Sequence, residues 1–92
     1  MLTWDENKRQ SNLTKHGIDF ADLEHIFDFY MHTEEDKRTP YVEKRFRSLC
    51  LFRGQVVVLI WAEQPQTDRI ISCRYGLKHE TRDYFKKAAS HL

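Results

Sequence analysis

Gln55-Val56-Val57-Val58-Leu59-Ile60-Trp61-Ala62-Glu63 is the stretch on which the fold turns. From Val56 to Ala62 it is apolar without alternation. A run apolar on both faces belongs in the centre of a sheet that is covered, at least in part, on both sides. Working backward, Arg53-Gly54-Gln55 reads as a tight hairpin connection, and residues from about Tyr41 to Phe52 read as the long strand before it. Working forward, Gln64-Pro65-Gln66-Thr67-Asp68 supplies a turn, Arg69 to Tyr75 the next strand, and Gly76 its end.

Helical signals flank this block. Thr3 and Glu6 have capping-box spacing and Asp5 is a competing N-cap, so either starts a helix over about residues 5 to 16. Gly17 fits the position after that helix, where a left-handed backbone penalises a Cβ. Asp19 then caps a second helix, with Ile18 and Leu23 spaced as a hydrophobic staple. Phe20, Leu23, Ile26, Phe27 and Tyr30 form its apolar stripe, which reads as core rather than as a cofactor site. Tyr84, Phe85 and Ala88, with Leu77 and Leu92 outside, mark a C-terminal helix, and Leu2-Trp4 a short first strand. The sum is an α+β domain over residues 1–92: two N-terminal helices on a mainly antiparallel sheet, and a C-terminal helix.

Composition narrows the classes. The 92 residues are 40% hydrophobic and 32% charged, a globular balance large enough for one core. A net charge of +1 does not by itself announce a nucleic-acid binder, but the charge is polarised. Asp19 to Asp36 holds seven carboxylates and no Lys or Arg, whereas Arg69 to the end holds six Lys or Arg against Glu80 and Asp83. Lys44, Arg45, Arg47 and Arg53 form a second basic group. This polarity suits one face for an anion and another for a basic partner, and equally the solvated faces of an ordinary domain. No apolar run is long enough to span a membrane, and Asp5, Glu6 and Lys8 stand where a signal peptide would be apolar, so a cytoplasmic location is expected. Cys50 and Cys73 lie in strand-like runs as small buried hydrophobes, and no Cys or His spacing signals a metal. No cofactor is expected.

Three segments carry a resemblance: Trp4-Asp5-Glu6-Asn7-Lys8, Asn12-Leu13-Thr14-Lys15-His16-Gly17-Ile18 and Arg69-Ile70-Ile71-Ser72-Cys73-Arg74. Together they resemble the BrnT family, toxins of bacterial toxin–antitoxin pairs with a RelE-like ribonuclease fold. The resemblance spans nearly the whole chain. It implies a metal-independent endoribonuclease that inhibits translation and is neutralised by a BrnA-like ribbon-helix-helix antitoxin. It also implies RNA as substrate and contact with operator DNA only through that antitoxin. A different class remains open: a catalytically weak binding module acting as an antitoxin-bound corepressor.

RNA cleavage without a metal needs a base for the 2′-hydroxyl, cations for the crowded phosphorane and an acid for the departing 5′-oxygen. Arginine suits the second task because its planar fork holds two phosphate oxygens and stays charged. Arg69 and Arg74, which open and close one strand, are the candidates that the resemblance supplies, and Arg45 is a further phosphate contact. Strict alternation places Arg74 with Ser72, and Arg69 on the other face with Ile71 and Cys73, although Arg69 at the strand end can still reach the site. For each, a salt bridge to Glu43, Glu63 or Asp68 is the competing use. His16 ends the first helix, where the dipole favours a cation, and is the acid–base candidate; Lys15-His16-Gly17 is equally a sound helix stop. Tyr84 shares a helix face with Glu80 and is a candidate acid or base-stacking ring, or a core ring. Lys15, Lys78 and Arg82 complete the expected RNA contacts. Where the family usually has Ala, this chain has Cys73, and Arg74-Tyr75-Gly76 replaces a more basic step. The bulkier, less basic step weakens the cationic cluster beside Arg74.

Overall fold

The computed structural model describes residues 1–38 and 43–91 and contains five strands: β1 (Leu2–Trp4), β2 (His32–Glu35), β3 (Arg45–Phe52), β4 (Gln55–Glu63) and β5 (Asp68–Tyr75). They form one sheet in the order β1-β5-β4-β3-β2, with β1 parallel to β5 and the remaining pairs antiparallel. β4 is the middle strand, as its apolar run requires. Val57, Leu59 and Trp61 enter a core with Ile18, Phe20, Leu23, Ile26 and Ile70; Val56 and Val58 enter a second core with Leu49 and Tyr84. Each fully buried Val or Leu contributes about 1.5–3 kcal/mol, so the strand is held from both sides.

The hairpin joining β3 to β4 turns on Arg53 (φ 49°) and Gly54 (φ 80°). Positive φ at both central residues is the twist-compatible two-residue turn, and Gly54 lowers its cost. Regular pairing in β3 starts at Arg45, later than the sequence pattern suggests; Tyr41 and Val42 lie outside the described residues.

At the N-terminus, helix α1 (Glu6–His16) is capped by Asp5, whose carboxylate accepts from the Asn7 and Lys8 amides. Asp5 thus prevails over the Thr3–Glu6 capping box, and Glu6 accepts from Arg9 and Gln10 instead. Gly17 takes the left-handed conformation (φ 71°) and its N–H closes on the Leu13 carbonyl at 2.9 Å. One buried side chain ties α1 to the sheet. Asn12 Nδ2 donates to the Cys73 and Ile18 carbonyls, and its Oδ1 accepts from the Cys73 N–H, all at 2.9 Å. A single amide therefore bonds the β5 edge as a neighbouring strand would.

The expected second N-terminal helix is not an α-helix. Two short 3₁₀ turns, Phe20–Asp22 and Ile26–Asp28, occupy its place. Phe20, Leu23 and Ile26 are the residues buried there, and they recur every third position, the period at which 3₁₀ side chains stack on one side. Aromatic and Asp residues in the same stretch give an α-helix little intrinsic support. Asp19 still caps the turn, accepting from Ala21 N–H at 2.9 Å, and Arg9 grips its carboxylate through Nε and Nη2.

The C-terminal helix α2 (Lys78–Ala89) lies on the opposite face of the sheet from these turns. It covers only the part occupied by Leu49, Val56 and Val58, through Tyr84 with Ala88 beside it. The rest of that face carries arginines.

Candidate active site

An irregularity in β5 decides what that face presents. Ile60 pairs with Ser72 but Trp61 pairs with Ile70, so Ile71 is the extra residue of a β-bulge. The bulge resets the alternation. Arg69 pairs with Ala62 and Arg74 with Val58, and Ala62, Ile60 and Val58 share one face of β4. Arg69 therefore lies on the face of Ser72 and Arg74, not with Ile71 and Cys73 as strict alternation from the sequence had it. β3 adds Arg45 opposite Ala62 and Arg47 opposite Ile60. Four arginines thus stand on the half of the face that α2 leaves uncovered.

They are organised in two pairs, each sharing a carboxylate. Arg69 and Arg45 both reach Glu43, just before β3; Arg69 makes the close contact, and Arg45 Nε lies 3.7 Å from Oε1. This is one of the salt bridges that compete for Arg69. Arg74 and Arg47 converge on Glu80 from the first turn of α2. Arg74 Nη1 and Nη2 donate to Oε1 and Oε2 at 2.9 Å each, and Arg47 Nη2 donates to Oε2 at 2.6 Å. The Leu77 N–H donates to Oε1 at 2.7 Å, which makes Glu80 a helix cap as well. Glu80 is only 4% exposed. The Arg74 guanidinium holds its carboxyl down at about 2, well below the usual range, against the opposing effect of burial.

A cleft of about 240 Å³ opens beside this second pair, lined by His16, Arg38, Arg47, Ile60, Ser72 and Arg74. His16 arrives from the end of α1, which Asn12 holds to β5. Arg38 binds Asp36 through Nε and Nη2 at 2.8 Å, which lowers the Asp36 carboxyl. The cleft adjoins a hollow of about 230 Å³ lined by Lys8, Ser11, Asn12, Lys15, His16 and Ser72. His16 and Ser72 border both. Lys8, Ser11 and Lys15 share one helix face by their spacing, so cations extend along α1 away from the arginines.

The structure therefore brings together His16, Lys15 and Arg74. It sets Arg69 and Arg45 further along the same face, around Glu43. Lys78 and Arg82 are exposed on α2 and do not line the cleft. Tyr84 is 3% exposed, donates its hydroxyl to the Tyr30 carbonyl at 2.9 Å, and packs from α2 onto Leu49, Val56 and Val58. Burial raises its phenol above the ordinary value. Cys73 and Cys50 are buried and burial raises both thiols, Cys73 to about 12, so neither is a nucleophile at neutral pH.

Sequence reasoning did not assign Arg47, Arg38, Ser72, Asn12 or Glu80 to the site. Arg47 was legible: it alternates with Arg45 on one face of β3. Asn12 reaches a partner 61 positions away, and Glu80 joins Arg74, six positions before it, to Arg47, 33 positions before it; no local pattern encodes either long reach.

The chemistry available is the gripping of a phosphate by guanidinium groups, with an imidazole within the same cleft. Arg74 uses both Nη atoms on Glu80 and Arg47 uses Nη2, while neither Nε–H has a protein acceptor among the described residues. These N–H groups are donors held ready for an anion. Among the described residues no three His, Cys, Asp or Glu side chains gather as a metal site would require, and no helix is long and apolar enough to cross a membrane. Comparison with curated proteins gives no match. A family model does match, over residues 4–80, from Trp4 through Glu80 and so across every residue of the cleft. The chain belongs to that family, described as the ribonuclease toxin, BrnT, of type II toxin–antitoxin systems.

Proposed function

We propose that the cleft between His16, Arg47 and Arg74 is the active site of a metal-independent endoribonuclease, and that it blocks translation by cutting RNA. The observation that carries this reading is the convergence of two fixed guanidinium groups, each with unused N–H donors, on a cleft that also contains an imidazole. In this reading the scissile phosphate sits against the Nε edges of Arg74 and Arg47, which stabilise the charge that builds on the phosphorane. His16 is the proton-transfer group, serving the attacking 2′-hydroxyl or the leaving 5′-oxygen. Lys15 and Lys8 take the neighbouring phosphate along α1. Arg69 and Arg45 extend the cationic face in the other direction, and Lys78 and Arg82 offer outer contacts. Tyr84 seats α2 on Leu49, Val56 and Val58 beside the site. The order of one N-terminal helix, antiparallel strands and a C-terminal helix agrees with a RelE-like ribonuclease fold.

Membership of a type II toxin–antitoxin family brings with it a cognate antitoxin. We take this to be a BrnA-like ribbon-helix-helix protein that masks the basic face in the cytoplasm and links the toxin to operator DNA.

A second reading is favoured by one observation: all four sheet arginines already contact a carboxylate. If those carboxylates are not displaced or shared by RNA, the chain is a corepressor that binds the antitoxin and cuts nothing.

The test uses protein freed of its partner, in EDTA, on a short RNA and on the same oligonucleotide with a 2′-deoxy sugar at the cut position. The expected result is cleavage of the RNA with cyclic phosphate or 3′-phosphate ends, and binding without cleavage of the deoxy form. Cleavage abolished by EDTA and restored by a divalent ion removes the metal-free mechanism. Protein that leaves RNA intact in every condition, yet binds its antitoxin, favours the corepressor.

A further inference from the structure

The unusual group in this site is its carboxylate. Glu80 stands 4% exposed among cations on a face proposed to bind a polyanion, where a negative charge opposes RNA binding. Its acceptor sites are engaged. Oε1 takes Arg74 Nη1 and the Leu77 N–H, and Oε2 takes Arg74 Nη2 and Arg47 Nη2. No vacant acceptor aims into the cleft, so Glu80 is not placed to take a proton from substrate. What it does instead is geometric. The two-point fork fixes the plane of the Arg74 guanidinium, and the end-on pairing leaves Nε–H and one Nη2–H along the remaining edge. These two form the side-on fork that matches two phosphate oxygens. Arg47, held by the Oε2 that Arg74 Nη2 also bonds, presents its remaining donors from β3, on the far side of β4. Glu80 itself cannot drift, because α2 seats it as a helix cap at 2.7 Å from the Leu77 N–H.

We propose that Glu80 is a positioning residue that aims the Arg47 and Arg74 guanidinium groups at the scissile phosphate, gaining rate while weakening ground-state RNA binding. This rests on the ribonuclease reading of the cleft. It makes two effects of one side chain opposite in sign, which a purely structural residue would not do.

The experiment compares wild type with Glu80→Gln and Glu80→Asp. Glu80→Gln removes the negative charge and the symmetric pairing. It should bind an uncleavable 2′-deoxy analogue as tightly as wild type or more so, while kcat falls by up to about 100-fold, the scale of a misplacement near 1 Å. Glu80→Asp keeps the charge but shortens the reach, so binding stays at the wild-type level while kcat falls. Nitrogen-detected NMR of the arginine side chains reads the aim directly: restricted guanidinium rotation for Arg47 and Arg74 in wild type, released in Glu80→Gln. Binding and cleavage falling together, in proportion to lost thermal stability, overturns the proposal, as does unchanged kcat in both variants. If wild type cuts no RNA, the ribonuclease reading fails. The NMR signals then decide the positioning role separately: mobile guanidinium groups in wild type overturn it.

Discussion

Asn12 shows how much one side chain can carry. Its amide satisfies the N–H and C=O of Cys73 and the carbonyl of Ile18, all at 2.9 Å, and it is 4% exposed. Replacing it with Ala leaves buried backbone groups unpaired, each costing about 1–3 kcal/mol. Asn12→Ala should therefore lose about 2–3 kcal/mol in urea unfolding, and His16 should lose its fixed place over the cleft. A loss below about 0.5 kcal/mol, the range of ordinary surface substitutions, would show that water replaces the amide freely. Tyr84 makes the complementary case. Among the described residues its hydroxyl meets only the Tyr30 carbonyl, so Tyr84→Phe should cost about 1 kcal/mol and leave RNA cleavage at the wild-type rate. A large fall in cleavage without loss of stability would instead give the phenol a chemical role.

At the scale of elements, Gly17 ends α1 at φ 71° with open space around it. Gly17→Ala meets no clash, only the left-handed backbone that an L-residue disfavours. It should lower stability by about 1 kcal/mol, measured as a small drop in Tm with cleavage intact. This glycine, the Asp5 and Asp19 caps, the Arg53-Gly54 turn and the doubly buried β4 were all legible, because each is set by residues close in sequence. The second helix was misread because Phe20, Leu23 and Ile26 satisfy the periods of both an α-helix and successive 3₁₀ turns, and packing on the sheet chose the latter. The β5 bulge was invisible for a different reason. Ile70, Ile71 and Ser72 give no Gly or Pro signal; the register is imposed by pairing with β4. That unseen residue put Arg69 on the correct face. Of the site, the cations, His16 and the Glu43 bridge could be read from the chain, whereas the buried Glu80 that holds Arg47 and Arg74 could not.

Taken whole, the molecule binds its charges in pairs across elements, and acid should undo it. The carboxyls of Glu80 and Asp19 are both held near 2 by arginines, and that of Asp36 is lowered as well. A folded-state value below the ordinary one, about 4 for a carboxyl, means that these pairs stabilise the fold above that value. The contribution fades as pH falls toward about 2, where the unfolded chain binds more protons. Urea midpoints should drop steadily below pH 4.5 or so, and Glu80→Gln should flatten that drop; a midpoint indifferent to pH across the window would contradict the pairing. If the Arg74 side of the sheet cuts RNA, as proposed, single-turnover cleavage in EDTA will show it. The variant is Arg74→Ala/Glu80→Ala, which removes the donor together with its buried counter-charge so that no lone carboxylate is left to unfold the protein. Arg74→Lys keeps a cation beside Glu80 and serves as a second folded comparison. Loss of the Arg74 donor together with the carboxylate that aims Arg47 predicts a rate lower by at least about 10²–10³ in a double variant that remains folded and still binds its antitoxin. Folded variants that cleave at the wild-type rate would place the chemistry elsewhere on the molecule.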